Sequence, residues 1–184
     1  MRMAGKHARR TVAHAARIVL LAVLLSAPVS AQTFQEPDAF LQETFSHNVP
    51  QPELLTVTPE MQREIARILR HSYRVRQLRY WRDAGRTVWI LEEIGRYRPI
   101  TVGLVVSGGA IDTIRVLIYR ESHGWEVRHD FFTNQFKGLT LDEQSNLTGR
   151  IDGISGATLS VNALRNLARL ALYLDRAVRA TGAP

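Results

Sequence analysis

The sequence predicts an α+β fold: an antiparallel sheet with helices packed on one face, and a loop of chemical interest just ahead of a C-terminal helix. Three observations lead there. Two pairs of alternating or β-branched segments, within 77–92 and 100–119, each fold back around a short turn. A helical pattern from Thr58 precedes them, and a longer one from Ser160 to about Thr181 follows. Strands and helices are grouped rather than alternating, which favours an antiparallel sheet over parallel βαβ units.

The chain begins with Arg2, Lys6, Arg9, Arg10 and Arg17 and no acid over its first seventeen positions. An apolar run from Ile18 to Leu25 follows, then Pro28 and the small-residue ending Val29-Ser30-Ala31. A basic start, a short apolar core and a small-x-small ending form the pattern of a secretory signal. Residues 1–31 are therefore expected to be a cleaved signal peptide, with a periplasmic or otherwise exported product. An uncleaved N-terminal membrane anchor is the alternative. The apolar run is short of the ~20 residues a span needs.

Residues 32–57 form a polar, proline-punctuated lead-in with Phe34, Phe40, Leu41 and Phe45 scattered through it, and a short helix is expected near 37–46. Residues 58–184 form the main domain. Thr58-Pro59 supplies a capping hydroxyl and a first-turn proline. Met61, Ile65, Ile68 and Leu69 share one face of that helix, and Arg63, Arg67 and Arg70 another, either a solvated face or a contact for an acidic partner. Strands are expected at 77–82, 87–92, 100–106 and 111–119. His129 to Lys137 reads as a short helix stopped by Gly138. The last helix directs Val161, Leu164, Ala168, Ala171 and Leu172 to the core.

Composition narrows the function. The 184 residues are 45% hydrophobic and 22% charged, ordinary for one globular domain. Five of the 24 basic residues and none of the 17 acidic ones lie in the first 31 positions. The formal charge of +7 therefore falls to about +2 beyond them, which removes most of the case for nucleic-acid or anionic-membrane binding. The chain has no Cys. That excludes disulfides, thiolate nucleophiles, Cys-ligated iron–sulfur clusters and thioether-linked haem. Redox chemistry would need an organic cofactor.

The segment Asp152-Gly153-Ile154-Ser155-Gly156-Ala157-Thr158 stands out. Its glycines permit a tight backbone, and hydroxyls at Ser155, Thr158 and Ser160 crowd a helix start. Unpaired N–H groups at a helix N-terminus favour phosphates. Local residues leave two readings open: a phosphate site, or a hydroxyl that merely caps the helix.

The same segment closely resembles the flavinylation motif of the FMN-binding domain family: Asp, two variable positions, Ser or Thr, Gly, Ala, Thr. That family includes flavin-carrying subunits of the sodium-translocating NADH:quinone reductase and of related membrane reductases. The resemblance implies FMN bonded through a phosphoester to Thr158, with Asp152, Ser155, Gly156 and Ala157 at the other fixed positions. It further implies a magnesium-dependent flavin transferase that takes FMN from FAD, and a membrane or periplasmic redox partner. Upstream, Glu121-Ser122-His123-Gly124 follows a strand where the family commonly has a Glu-Thr-Pro-Gly-like turn, with Ser122-His123 in place of Thr-Pro. Phe132 to Gly138 resembles the family's short helix ending in Phe-x-Gly. Glu121, Ser122, His123 and Gly124 are thus candidate flavin contacts, and Trp125 is either a stacking neighbour of the ring or a core residue. The resemblance spans roughly residues 85–175. An electron carrier is the expected function. A flavin-dependent reductase using His123 or Glu121 as proton donor, and a non-redox binding module with Thr158 as a cap, are the alternatives.

Overall fold

The computed structural model describes residues 31–181. The expected signal peptide, apart from Ala31, lies outside the described residues. The chain order is β1 (Gln32–Thr33), α1 (Pro37–Thr44), β2 (Glu53–Thr56), α2 (Pro59–Leu69), β3 (Gln77–Asp83), β4 (Arg86–Ile94), β5 (Pro99–Ser107), β6 (Ala110–Tyr119), α3 (Asp130–Thr133) and α4 (Thr158–Thr181), with 3-10 turns flanking α3.

The six strands form one sheet in the order β1-β6-β5-β4-β3-β2, and every neighbouring pair is antiparallel. β3–β4 and β5–β6 are the two expected hairpins, closed by two-residue loops after the pairs Asp83↔Arg86 and Ser107↔Ala110. The lead-in supplies both edge strands.

Strand alternation sorts the side chains into two cores. Trp89, Leu91, Ile100, Val102, Leu104 and Val106 face α2 and α4, whose Ile65, Ile68, Leu164, Leu167 and Ala171 complete the larger core. Val88, Val105 and Leu117 face the other way, against Phe40, Leu41 and Phe45. The fold is α+β with an antiparallel sheet, and α2 and α4 share one face. In addition, α1 covers the opposite face. Phe40 is 1% exposed, so this second layer is a full core rather than a loose strap.

Two polar clamps fix α4, which sets where its first residue sits. At its C-terminal end the buried Asp175 accepts from Thr87 Oγ1 at 2.7 Å and from Arg179 Nε at 2.7 Å. Arg179 also donates to the Gly85 carbonyl of the β3–β4 turn at 2.6 Å. At the N-terminal end, Ser160 Oγ and Tyr119 Oη lie 2.7 Å apart in a hydrogen bond. Among the described residues no helix is long and apolar enough to cross a membrane.

Candidate functional site

The segment before α4 is shaped by a turn. Ala157 N–H donates to the Ile154 carbonyl at 3.0 Å, and Gly156 sits at the third position with φ +80°. A positive φ there is the signature of a type II turn and suits Gly. Ala157 is buried, and Val161 N–H donates to its carbonyl at 2.9 Å, the first bond of the helix. Ala157 therefore holds the cap position, and Thr158 is the first residue of α4 with an exposed side chain. Its hydroxyl is one position too late for the usual capping bond. The amides of Thr158, Leu159 and Ser160 precede that first helical bond and lie at the positive end of the helix dipole.

Thr158 forms one wall of a cleft of about 200 Å³. Gly156, Ala157, Leu159 and Ser160 share that wall, and Ser122, His123, Glu121, Arg96 and Tyr97 form the other. The upstream turn and the loop before α4, distant in sequence, thus face one another across a single cleft. Their approach rests on Tyr119 at the end of β6. Its hydroxyl donates to the His123 carbonyl at 2.5 Å and bonds Ser160. Burial raises the Tyr119 pKa, so the phenol keeps its proton as a donor.

Glu121 does not pair with an arginine side chain here. Its Oε1 accepts from the backbone N–H groups of Arg96, Tyr97 and Arg98 at 2.5, 2.5 and 2.8 Å. This carboxylate folds the β4–β5 loop over the cleft and brings in Arg96 and Tyr97, which sequence reasoning did not single out. Burial alone would raise the Glu121 pKa, but the three amide bonds outweigh it and hold the group below its ordinary 4.5. A depressed folded pKa stabilises the fold fully above the unfolded value and loses that contribution as pH falls through the folded value. Thermal unfolding followed across acid pH should therefore show Glu121→Gln flattening the decline below about pH 4.5. An unchanged profile would remove the role.

The remaining expected residues fall around the cleft rather than in it. Asp152 and Ser155 are exposed. Asp152 N–H donates to Gln135 Oε1 at 2.6 Å, and its carboxylate lies 3.3 Å from Arg150 Nε. Gly124 is buried beneath the cleft with φ +89°. Trp125 does not line the cleft. It is 39% exposed and meets His129 edge-on at 5.4 Å, with Arg128 over its ring at 5.0 Å. Another depression, about 950 Å³ and polar, lies across the β6 face near Arg115 and Arg128 and includes none of the site residues expected from the sequence.

An exposed hydroxyl at a helix start and an upstream turn folded onto it frame this cleft. Residues 95–173 match the family model of the FMN-binding domain, and this segment of the chain is similar to that family. The crystal structure of NqrC from Shewanella oneidensis aligns with a TM-score of 0.48 and 15% identity over 73% of this chain and 81% of that one. No curated protein matches the chain.

The residues present fit the cofactor. An exposed hydroxyl at the first position of a helix can form a phosphoester whose remaining charge meets the helix dipole. The small wall of Gly156 and Ala157 leaves the approach open.

Proposed function

We propose that this chain is an exported electron-transfer protein that carries FMN through a phosphoester on Thr158. The observation that carries the reading is the placement of Thr158: exposed, first in α4, and lining the cleft closed by Ser122 and His123. Bound FMN supplies one- and two-electron redox chemistry that no side chain of this Cys-free chain offers. The protein's own residues position and retain it.

The size of the cleft supports a tether. About 200 Å³ is small beside the ~300–1,000 Å³ of pockets that enclose a ligand by shape. Much of a flavin would lie along exposed side chains such as Tyr97 and Leu159, 73% and 48% exposed. Non-covalent retention on so open a surface is weak, and an exported cofactor that dissociates is diluted away. A covalent bond removes that equilibrium. The same openness suits an electron carrier, whose flavin must approach a partner's redox centre.

Maturation would require a flavin transferase using FAD and magnesium. Asp152 and Ser155 are exposed beside the acceptor yet outside the cleft, so they are available to that enzyme rather than to the mature flavin. The redox partner would be membrane-bound or periplasmic, with the signal-like residues 1–31 placing the chain there. A second reading, reduction of a small acceptor, draws on His123, an exposed imidazole lining the cleft.

Co-expression with a flavin transferase tests the main reading. The purified chain should gain the mass of one FMN and fluoresce in a denaturing gel. An unmodified mass, from cells that flavinylate another substrate, would overturn it. Turnover of small acceptors that disappears in His123→Ala would favour the reductase.

A further inference from the structure

A second cleft lies further along α4. It has a volume of about 390 Å³ and is lined by Arg70, Arg150, Asn162, Arg165, Asn166 and Arg169, together with Asn146 and neighbouring backbone. No carboxylate lines it. Asn162, Arg165, Asn166 and Arg169 recur at helical spacing, so one face of α4 presents them as a continuous stripe. Arg70 ends α2 in the left-handed conformation, φ 64°, and Arg150 comes from the loop leading to Asp152.

Two of these arginines are held rather than free to retract. Arg165 donates to the Ile151 carbonyl, and Arg169 Nε donates to the Ser145 carbonyl at 2.7 Å. Each bond is to a neutral carbonyl, which positions a guanidinium without cancelling its charge. Arg67, next to the cleft, is committed to Glu64 at 2.5 Å, and Arg150 has Asp152 at 3.3 Å. Among the described residues Arg70, Arg165 and Arg169 enter no ion pair. Burial and then the positive charges of Arg67 and Arg70 lower the pKa of Arg169, against the opposing pull of Glu64 and Asp142. The local field is therefore positive even after the nearby acids are counted.

We propose that this cleft is a binding site for a phosphate-bearing ligand, distinct from the Thr158 cleft. Guanidinium forks match phosphate oxygens in pairs, and the amides of Asn162 and Asn166 add neutral donors. The volume admits a diphosphate or the head of a phospholipid rather than a nucleic-acid backbone track. The stripe begins one helical turn beyond Thr158, so a ligand here sits on the same helix face as the attachment residue.

Isothermal titration of the full chain with inorganic pyrophosphate at low salt is the test, repeated with vesicles of phosphatidylglycerol or phosphatidylcholine. Saturable pyrophosphate binding is expected. Arg165→Gln/Arg169→Gln should weaken it roughly tenfold or more, as loss of charge-assisted bonds does. Because that pair also bonds backbone carbonyls, Asn166→Asp provides a second variant: it keeps the side-chain shape, adds a repelling charge and should weaken binding as well. Thr158→Ala should leave binding intact. Binding to phosphatidylglycerol vesicles alone would identify a lipid head as the phosphate source, and binding to pyrophosphate alone a soluble one. No binding to either, or equal binding by wild type and Asn166→Asp, would overturn the site.

Discussion

Thr158→Ala, co-expressed with a flavin transferase, should yield a folded chain that carries no FMN. Covalent mass and in-gel fluorescence should both vanish, because alanine offers no oxygen to bond phosphorus. The fold should survive. The side chain is exposed at the first helical position, and Ala157, not Thr158, stands at the cap. Alanine is also the best helix former, so the stability change should stay within about 0.5 kcal/mol. Thr158→Ser should retain some labelling. If Thr158 were only a cap, its loss would cost roughly 1 kcal/mol and leave cofactor content untouched. Mass spectrometry with a thermal melt on one sample separates the two cases. A fluorescent Ala variant would place the bond elsewhere.

Parts of this architecture are legible in the residues, and the missing parts share a cause. The four long strands follow their alternating or β-branched patterns closely: 77–82 is observed as Gln77–Asp83, and 100–106 as Pro99–Ser107. The edge strands β1 and β2 have two and four residues. So short a segment has no measurable period and is defined by its partner. The second core was not anticipated, since the expected fold placed helices on one face only, although its residues are in plain view. Ile100 to Val106 is apolar almost throughout, the mark of a strand covered on both faces. Phe40, Leu41 and Phe45 stood in the lead-in without an assigned site, and they supply that cover.

The same distinction applies to the cleft. Thr158 with Ser122 and His123 could be named from local motifs, and all three line one cleft. Arg96 and Tyr97 could not. They reach the cleft because Glu121 gathers three amides some two dozen residues upstream, a long-range bond with no local sequence signature. Trp125 was attractive by type and adjacency, yet the 3-10 turn Trp125–Arg128 carries it toward His129 and Arg128 instead. Local motifs single out Thr158, Ser122 and His123, whereas the arrival of Arg96 and Tyr97 depends on tertiary contacts.

Gly124→Ala should be the most damaging small substitution near the cleft. Gly124 has φ +89°, a region L-residues rarely adopt. A Cβ there would lie 2.8 Å from Ser160 Oγ, 2.9 Å from Tyr119 Oη and 3.3 Å from Ala157 Cβ. Ser160 and Tyr119 are bonded to each other at 2.7 Å, so neither yields without breaking the bond that seats α4. Backbone strain and the clash together should cost about 2 kcal/mol or more. Because the turn and the helix start must then part, Thr158 should also shift from the Ser122–His123 wall, and flavin loading should fall. Gly153→Ala is the matching control: its Cβ would meet nothing within 4 Å, so stability should change by less than about 0.5 kcal/mol. A double-mutant cycle isolates the contribution of the Ser160 contact. In a Ser160→Ala background the closest contact disappears, and Gly124→Ala should cost less there than in the native chain. Equal costs in both backgrounds would show that the Ser160 contact adds nothing, leaving the effect to the positive φ and the Tyr119 Oη contact.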